Sequence, residues 1–328
     1  MSVDEGLQAA LDRLAPRLDP SAHGVEALQR LSGGASQETW AFRLAGPGRP
    51  LILRRAPEGR RPGGSGVGLP LEAAVIRRAE AAGVPVPPIL HELSPEDGAG
   101  AGFVMPRIEG ETLPQRILRQ PDFAPARERF AEDAGLILAA IHRLDPEGLP
   151  LRRMTPQEML ADLVDRHARH GLPRPVFELA IRWLSDHAPA PVTPRLVHGD
   201  FRMGNLMIGP DRLRAVLDWE LAHVGDPASD LGWLCMQSWR FGGEKPVGGM
   251  GERETLLTAY EAAGGEPIDP EALRWWEVLS ALRWGVIIEE MANWVATGAD
   301  RSVERHVIAR RASEIELVLM MDLTGRNG

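Results

Sequence analysis

The spacing of hydrophobic residues changes near residue 110, and this change limits the folds open to the chain. Before it, short apolar stretches alternate with turn residues, and Trp40, Phe42 and Leu44 occupy alternate positions typical of a half-buried strand. After it, residues 127–143 carry apolar side chains at three-and-four spacing, typical of an amphipathic helix. The sequence therefore predicts an α+β protein with a small sheet-rich part and a larger, mainly helical part.

The boundary between these parts is predicted at 108/109, giving an N-terminal lobe of residues 1–108 and a C-terminal lobe of residues 109–328. A strand-rich insert at 195–217 interrupts the helical pattern, which is predicted to resume from residue 230 onward. The loop at 60–70 contains four glycines, and we expect it to be mobile without ligand. In the first lobe, strands are predicted at 25–31, 38–44, 51–53, 89–93 and 103–108, with a helix at 71–82.

Composition excludes several classes of protein. The chain has 46 acidic and 37 basic residues and a net charge of −9, whereas nucleic-acid binders usually show a basic surplus, so no nucleic-acid partner is expected. Its one cysteine, Cys235, cannot form an internal disulfide. No apolar run approaches the ~18 residues that span a bilayer. We expect a cytoplasmic protein without a membrane partner, and nothing in the sequence indicates an oligomeric state.

The most informative motif is His198-Gly199-Asp200, followed by Asn205 and then by Asp218 at the end of an apolar run. The first part lies between two predicted strands and Asp218 ends a neighbouring one, so the polar side chains can converge. Two carboxylates and one carboxamide are hard oxygen donors. The set suits Mg²⁺ carrying nucleotide phosphates, with one carboxylate free to handle a substrate hydroxyl. A turn-capping role would explain one such residue but not the whole pattern.

With these residues, about 25–300 of the chain resembles the aminoglycoside phosphotransferases and choline kinase-like small-molecule kinases, relatives of the protein kinases. The most specific segments are 198–205, Leu217-Asp218-Trp219-Glu220, Gly225-Asp226-Pro227 and Asp230-Leu231. Residues 197–202 and 218–221 are most similar to the branch fused to, or encoded beside, acyl-CoA dehydrogenases. The resemblance implies a bilobal protein-kinase-like fold with a small antiparallel-sheet N-terminal lobe.

The resemblance also implies roles for the motif residues. Asp200 would be the catalytic base, and Asn205 and Asp218 would hold Mg²⁺. Asp230 would brace the catalytic loop, and His198 would support its backbone. The phosphoryl donor would be ATP or GTP, and the acceptor a small-molecule alcohol.

The turn between the first two strands contains Gly33, Gly34 and Ser36, where the family places its phosphate-covering loop. Glycines let the backbone approach phosphate oxygens, and a serine hydroxyl can donate to them. A short turn of this composition is by itself also typical of a plain hairpin.

Arg54 ends the third strand, at the position where protein kinases have a phosphate-contacting lysine. The only lysine in the chain is Lys245, so arginine must fill this role or leave it empty. Arginine can pair bidentately with phosphates and carboxylates. Glu72 is the predicted ion-pair partner, although a first-turn acid is also favoured by the helix dipole. Arg55, on the opposite face of the strand, stays an alternative.

Met105, Arg107 and Ile108 lead into the connector, which in this fold presents backbone groups to the nucleotide base. Met105 and Ile108 could sandwich the base or belong to the core. Four tryptophans further on occur at helical spacing, which favours a core position over a cation-binding cage. They are Trp275, Trp276, Trp284 and Trp294.

The acceptor is the least determined part of the function. The dehydrogenase-associated branch implies a hydroxyacyl chain as its CoA thioester, with Arg202 and Arg240 as candidate contacts for the CoA phosphates. An aminoglycoside or choline-type kinase is the alternative acceptor class. Because arginine stands where a lysine is usual, a nucleotide-binding pseudokinase or interaction module is the alternative from another class.

Overall fold

The computed structural model describes residues 3–31, 37–56 and 66–325. Gly33, Gly34 and Ser36, and most of the glycine-rich loop at 60–70, lie outside these residues, so the predictions on them stay predictions.

The N-terminal part is a five-stranded antiparallel sheet with a helix on each side. Its elements are α1 (Val3–Leu18), β1 (Val25–Leu31), β2 (Glu38–Leu44), β3 (Pro50–Ala56), α2 (Leu69–Ala81), β4 (His91–Glu92) and β5 (Ala101–Pro106). The strand order across the sheet is β1-β2-β3-β5-β4. Helix α1 shares an apolar cluster with Val104 of β5, and α2 shares another with Phe103. Because neighbouring residues of a strand point to opposite faces, both faces of the sheet are covered.

The alternating apolar residues of β2 form one buried face, as the sequence predicts. Trp40, Phe42 and Leu44 are 4%, 2% and 0% exposed, and they share one apolar cluster with Leu11 and Leu14 of α1. The period of two therefore places one face of the strand against a helix.

The C-terminal part is mainly helical, with two small two-stranded sheets. Its elements are α3 (Pro114–Arg119), α4 (Ala124–His142), α5 (Pro156–His170), α6 (Pro175–Asp186), β6 (Arg195–Val197), β7 (Leu206–Ile208), β8 (Leu213–Val216), β9 (His223–Gly225), α7 (Ala228–Cys235), α8 (Arg253–Ala262), α9 (Pro270–Ala296), α10 (Val303–Ala309) and α11 (Ala312–Leu323). Strand β6 pairs with β9, and β7 pairs with β8. The long helix α9 packs against α5, α6, α7, α10 and α11, so it forms the centre of the helical part.

The helical pattern expected from residue 230 onward is interrupted at 237–252. This segment holds a short 3₁₀ turn, Gln237–Arg240, and then isolated bridges such as Val247 with Gly251. Its five glycines and Pro246 explain the difference, because glycine weakens a helix and proline breaks it.

The connection between the two parts is short. The Arg107 N–H still donates to the Pro50 carbonyl of the sheet at 3.1 Å, whereas the Glu111 N–H donates to Ile208 of β7 at 2.8 Å. These bonds support the boundary at 108/109, which we propose as the division between lobes. In the described ranges, each helix is too short or too polar to cross a membrane.

Candidate active site

The loop between β6 and β7 closes on itself through two of the predicted residues. Asn205 Nδ2 donates to Asp200 Oδ2 at 2.6 Å and to the Asp200 carbonyl at 3.1 Å. The five-residue spacing in the sequence therefore becomes a direct contact between the predicted base and a predicted metal ligand.

Asp230 lies beneath this loop. Its Oδ2 accepts the His198 backbone N–H at 2.7 Å, and its Oδ1 accepts the Gly199 N–H at 2.8 Å. The residue is 0% exposed, and His142 Nε2 lies 3.2 Å from Oδ2. Burial would raise the pKa of Asp230, but its bonds to His142 and to the His198 backbone hold it below the ordinary value. The geometry suits the bracing role predicted for Asp230.

His198 joins the two halves of the motif. Its Nδ1 accepts the Asp200 backbone N–H at 3.1 Å, so its Nε2 carries the proton donated to the Leu217 carbonyl at 3.0 Å. Burial lowers the pKa of His198 below its ordinary value, in keeping with a neutral ring. The support role predicted for His198 therefore has a geometric basis in these two bonds.

Asp218 follows β8 by two residues, slightly later than the predicted strand end. Its backbone is left-handed, with φ 63° and ψ 69°, a conformation that non-glycine residues seldom adopt and that is common at functional sites. The Leu217 N–H donates to the Asn205 carbonyl at 2.8 Å. That bond holds Asp218 beside the loop between β6 and β7.

Arg54 of β3 reaches across to the C-terminal part. Its Nη2 lies 2.6 Å from Asp218 Oδ1 and 3.5 Å from Glu220 Oε2. Its Nε lies 3.4 Å from Glu72 Oε1 and donates to Gln37 Oε1 at 2.6 Å. Burial would lower the pKa of Arg54, but the surrounding carboxylates raise it above the ordinary value. Arg54 thus stays charged and links the sheet, α2 and the motif.

Arg55 occupies the other face of β3. Its Nε and Nη2 lie 3.0 and 2.9 Å from Glu38 Oε2, and its guanidinium stacks over Trp40. Of the two arginines left open by the sequence, Arg54 is the one that faces the motif.

Glu72 is 1% exposed at the start of α2. Burial, together with the charges of Asp218 and Glu220, raises the pKa of its carboxyl to about 7, although Arg54 opposes the rise. The Glu72–Arg54 contact is not a hydrogen bond, because the single Nε proton of Arg54 is directed to Gln37.

This shift predicts how stability depends on pH in the absence of nucleotide. Glu72 binds its proton more tightly in the folded protein than in the unfolded chain. Protonated Glu72 therefore stabilises the fold fully below its ordinary pKa of 4.5, and this stabilisation is lost as the pH rises through about 7. In Glu72→Gln, the change in the free energy of unfolding between pH 4.5 and 8 should be smaller than in wild type by at most about 3 kcal/mol. Urea unfolding from pH 4.5 to 8 measures this change, and Glu80→Gln, at an exposed position, is the control. The prediction would be contradicted if the free energy of unfolding of Glu72→Gln changed with pH as steeply as that of wild type.

The positions of the connector residues do not distinguish a nucleotide-binding role from a core role. Met105 and Ile108 are half-buried, and Arg107 is exposed. The Arg107 N–H is committed to Pro50, so a contact between Arg107 and a nucleotide base would use its carbonyl or its side chain. The nucleotide-binding role of these residues stays a prediction.

Two residues beside the motif were not predicted to belong to the site. Glu220 joins the acidic group around Arg54, and Trp233 Nε1 donates to Asp200 Oδ1 at 2.7 Å. The signal for Trp233 is its position three residues after Asp230 on a helix, which places both side chains on one face.

The core interpretation of the tryptophans is right for two of the four. Trp275 and Trp276 are 1% and 2% exposed and donate to Leu184 and Asp226. Trp284 is half-buried against Trp239. The interpretation is wrong for Trp294, which is 39% exposed near the end of α9, where Arg305 stacks over its ring.

Residues 27–276, more than half of the chain, match the model of the phosphotransferase enzyme family. The chain belongs to this family. The predicted resemblance is therefore confirmed, and curated relatives also carry the names expected for the dehydrogenase-associated branch.

Among these relatives, mouse (Mus musculus) acyl-CoA dehydrogenase family member 10 is 30% identical to the phosphotransferase over 242 residues, covering 70% of this chain and 22% of the relative. Acyl-CoA dehydrogenase family member 11 of Gallus gallus is 31% identical over 246 residues, covering 70% and 30%. The phosphotransferase thus spans less than a third of the length of either relative.

Solved structures show the fold of this phosphotransferase. A candidate aminoglycoside phosphotransferase from Ralstonia eutropha has a TM-score of 0.74 at 22% identity, covering 95% of this chain and 97% of that one. A choline/ethanolamine kinase family protein from Mesorhizobium loti has a TM-score of 0.67 at 21% identity, covering 99% and 97%. A thermostable mutant of aminoglycoside phosphotransferase APH(4)-Ia, in a ternary complex with AMP-PNP and hygromycin B, has a TM-score of 0.61 at 17% identity, covering 97% and 98%. The kinase-like bilobal fold is confirmed.

Proposed function

We propose that this phosphotransferase moves the γ-phosphoryl group of ATP or GTP to a hydroxyl of a small molecule. The observation that carries the proposal is the joining of Asp200, Asn205 and Asp218 with Arg54 where the sheet meets the helical part. Phosphoryl transfer needs positioning and charge neutralisation more than covalent chemistry by the protein. This group offers both.

Asp200 is the proposed base. It would orient the acceptor hydroxyl and accept its proton while the hydroxyl oxygen attacks the γ-phosphorus. Its carboxylate is fixed by Asn205, and its backbone N–H by His198. A base held in this way needs little rearrangement when the acceptor binds.

The donor set fits Mg²⁺. An amide binds a metal through oxygen, and Asn205 uses its nitrogen for Asp200, which leaves its oxygen for the metal. Asp218 supplies a carboxylate, and Glu220 stands beside it as a further acid. Within the described residues, no three His, Cys, Asp or Glu side chains could hold a metal together. Mg²⁺ usually combines one or two carboxylates with phosphates and water, and when bound it would neutralise the phosphate charge.

Arg54 is the proposed phosphate-binding cation. Its guanidinium pairs with Asp218 in the structure. A bound nucleotide would offer phosphate oxygens to the same guanidinium, which can bind them bidentately. Glu72 would keep Arg54 directed into the cleft during this exchange.

For the acceptor we propose a hydroxyacyl chain, as its CoA thioester. Arg202 Nε lies 3.0 Å from Asp200 Oδ1, and Arg283 stacks over Trp233 next to the same carboxylate. Two arginines and an indole beside the base favour an anionic, partly apolar acceptor over a polycation. The strongest charge effects on Arg240 come from Arg253 and Glu277 and not from Asp200. We therefore assign a CoA contact to Arg202, which lies beside the base, rather than to Arg240.

A nucleotide-consumption screen tests the proposal. The wild-type protein is incubated with Mg²⁺ and ATP or GTP together with hydroxyacyl-CoAs, aminoglycosides or choline. Turnover with a hydroxyacyl-CoA supports the full proposal. Robust turnover of kanamycin-type aminoglycosides and none of hydroxyacyl-CoAs would overturn the acceptor and leave the kinase standing. Tight Mg²⁺–nucleotide binding without any turnover would favour the pseudokinase.

A further inference from the structure

The carboxylate of Asp200 receives a hydrogen bond on each of its oxygens, and one oxygen receives two. Oδ1 accepts from Trp233 Nε1 at 2.7 Å and from Arg202 Nε at 3.0 Å. Oδ2 accepts from Asn205 Nδ2 at 2.6 Å. A carboxylate offers about four lone-pair positions, two on each oxygen. With these three bonds in place, the remaining position is on Oδ2.

Trp233 shares its helix with the residue that braces the loop. All eight residues of α7 are buried, and Asp230 and Trp233 are three positions apart on one face. Asp230 holds the backbone of His198 and Gly199, while Trp233 holds the side chain of the next residue, Asp200. One short helix therefore fixes both the loop and its carboxylate.

The indole of Trp233 is itself held on two sides. The residue is 3% exposed. The Arg283 guanidinium lies 4.4 Å from its ring centroid and donates through Nη1 to the Gly199 carbonyl at 3.1 Å. The Trp239 ring meets it edge-on at 5.3 Å. These contacts restrict the indole to the orientation in which its N–H reaches Asp200.

We propose that Trp233 is a positioning residue that orients Asp200, and that Oδ2 is the atom that takes the acceptor proton. The inference rests on the proposed kinase function. As the hydroxyl O–H bond breaks, its proton forms a bond to Oδ2. The electron pair left on the hydroxyl oxygen forms the new O–P bond. The bond from the γ-phosphorus to the nucleoside diphosphate breaks, and its electron pair leaves with the diphosphate.

A matched pair of variants separates positioning from packing. Trp233→Phe keeps an aromatic ring but has no N–H donor. Trp233→His keeps an N–H that can reach the place of the indole nitrogen, but it removes more buried ring and should cost more stability. At pH 8 a histidine with an ordinary pKa of about 6.5 is neutral. The two variants should therefore rank in opposite orders for activity and for stability.

The activity probe is MgATP with 3-hydroxybutyryl-CoA as acceptor. We expect Trp233→Phe to lower kcat about 10- to 100-fold, in the range of a lost positioning contact, with the KM for MgATP within about twofold of wild type. Trp233→His should recover most of this loss despite a lower Tm. Exposed Trp294→Phe is the control and should match wild type. A kcat that falls in the order of stability, with Trp233→His the slower variant, would overturn the inference.

An NMR measurement that needs no catalytic turnover tests the role of Trp233 independently of the proposed function. In protein labelled with ¹⁵N at the indoles, the Trp233 resonance is identified by its loss in Trp233→Phe. Asp200→Asn should shift that resonance, because the charged acceptor becomes neutral. Trp276, which donates to Asp226 Oδ2 at 2.8 Å, should not shift. An unmoved Trp233 resonance would overturn the inference, whereas a shift without any kinase turnover would count against the kinase proposal alone.

Discussion

Asp200→Asn should lower kcat by about 10²- to 10⁴-fold, the usual contribution of a general base, and leave nucleotide affinity within about twofold. Asparagine has nearly the same shape, and its single amide oxygen can still accept from either Trp233 or Asn205, but it cannot take a proton from the acceptor. An effect on kcat with unchanged binding identifies an interaction made in the transition state. A coupled assay gives kcat, and calorimetry with a non-hydrolysable analogue gives the affinity.

The matched control is Asp211→Asn, because Asp211 is an exposed acid on the turn between β7 and β8. It should behave as wild type in both measurements. If Asp200→Asn kept wild-type turnover with the true acceptor, Asp200 would not be the base, and the chemistry would have to be assigned to another group.

Asp218→Ala should weaken binding of the Mg²⁺–nucleotide complex by about 10- to 100-fold, corresponding to roughly 1.4–3 kcal/mol, and should also lower kcat. The reason is the loss of a carboxylate from the proposed Mg²⁺ site. Folding should be little affected, because Arg54 keeps its contacts with Glu72 and Glu220.

The metal dependence makes this prediction specific. The difference between wild type and Asp218→Ala should be large with Mg²⁺ and should shrink when the nucleotide is titrated in EDTA. Asp211→Ala should show no such difference. A crystal soaked with Mg²⁺ and a nucleotide analogue would contradict the assignment if the metal lay away from both Asn205 and Asp218.

Local patterns in the sequence were enough to predict the elements that follow a simple period and the motif within one loop. The alternation of Trp40, Phe42 and Leu44 predicts their buried face, and the spacing of Asp200 and Asn205 predicts a shared loop. Both depend on residues close together in the chain, where periodicity is informative.

Contacts between distant segments were harder to predict. Arg54 and Asp218 are 164 positions apart, and the family resemblance predicted only that both serve the same nucleotide, not that they pair. The bond between Trp233 and Asp200 depends on how α7 packs against the catalytic loop, which hydrophobic spacing does not encode. The same limit explains Trp294, whose helical spacing is that of a core residue although its ring is exposed.

The position of Arg54 has a consequence for the order in which ligands arrive. In the structure its guanidinium already lies beside the carboxyl groups of Asp218, Glu220 and Glu72. A divalent cation that arrives alone must compete with this resident charge and brings nothing for the guanidinium to bind. A cation that arrives with a nucleotide brings phosphates that draw Arg54 away from Asp218. Metal and nucleotide should therefore enter together, and free Mg²⁺ should compete poorly with Arg54 for Asp218.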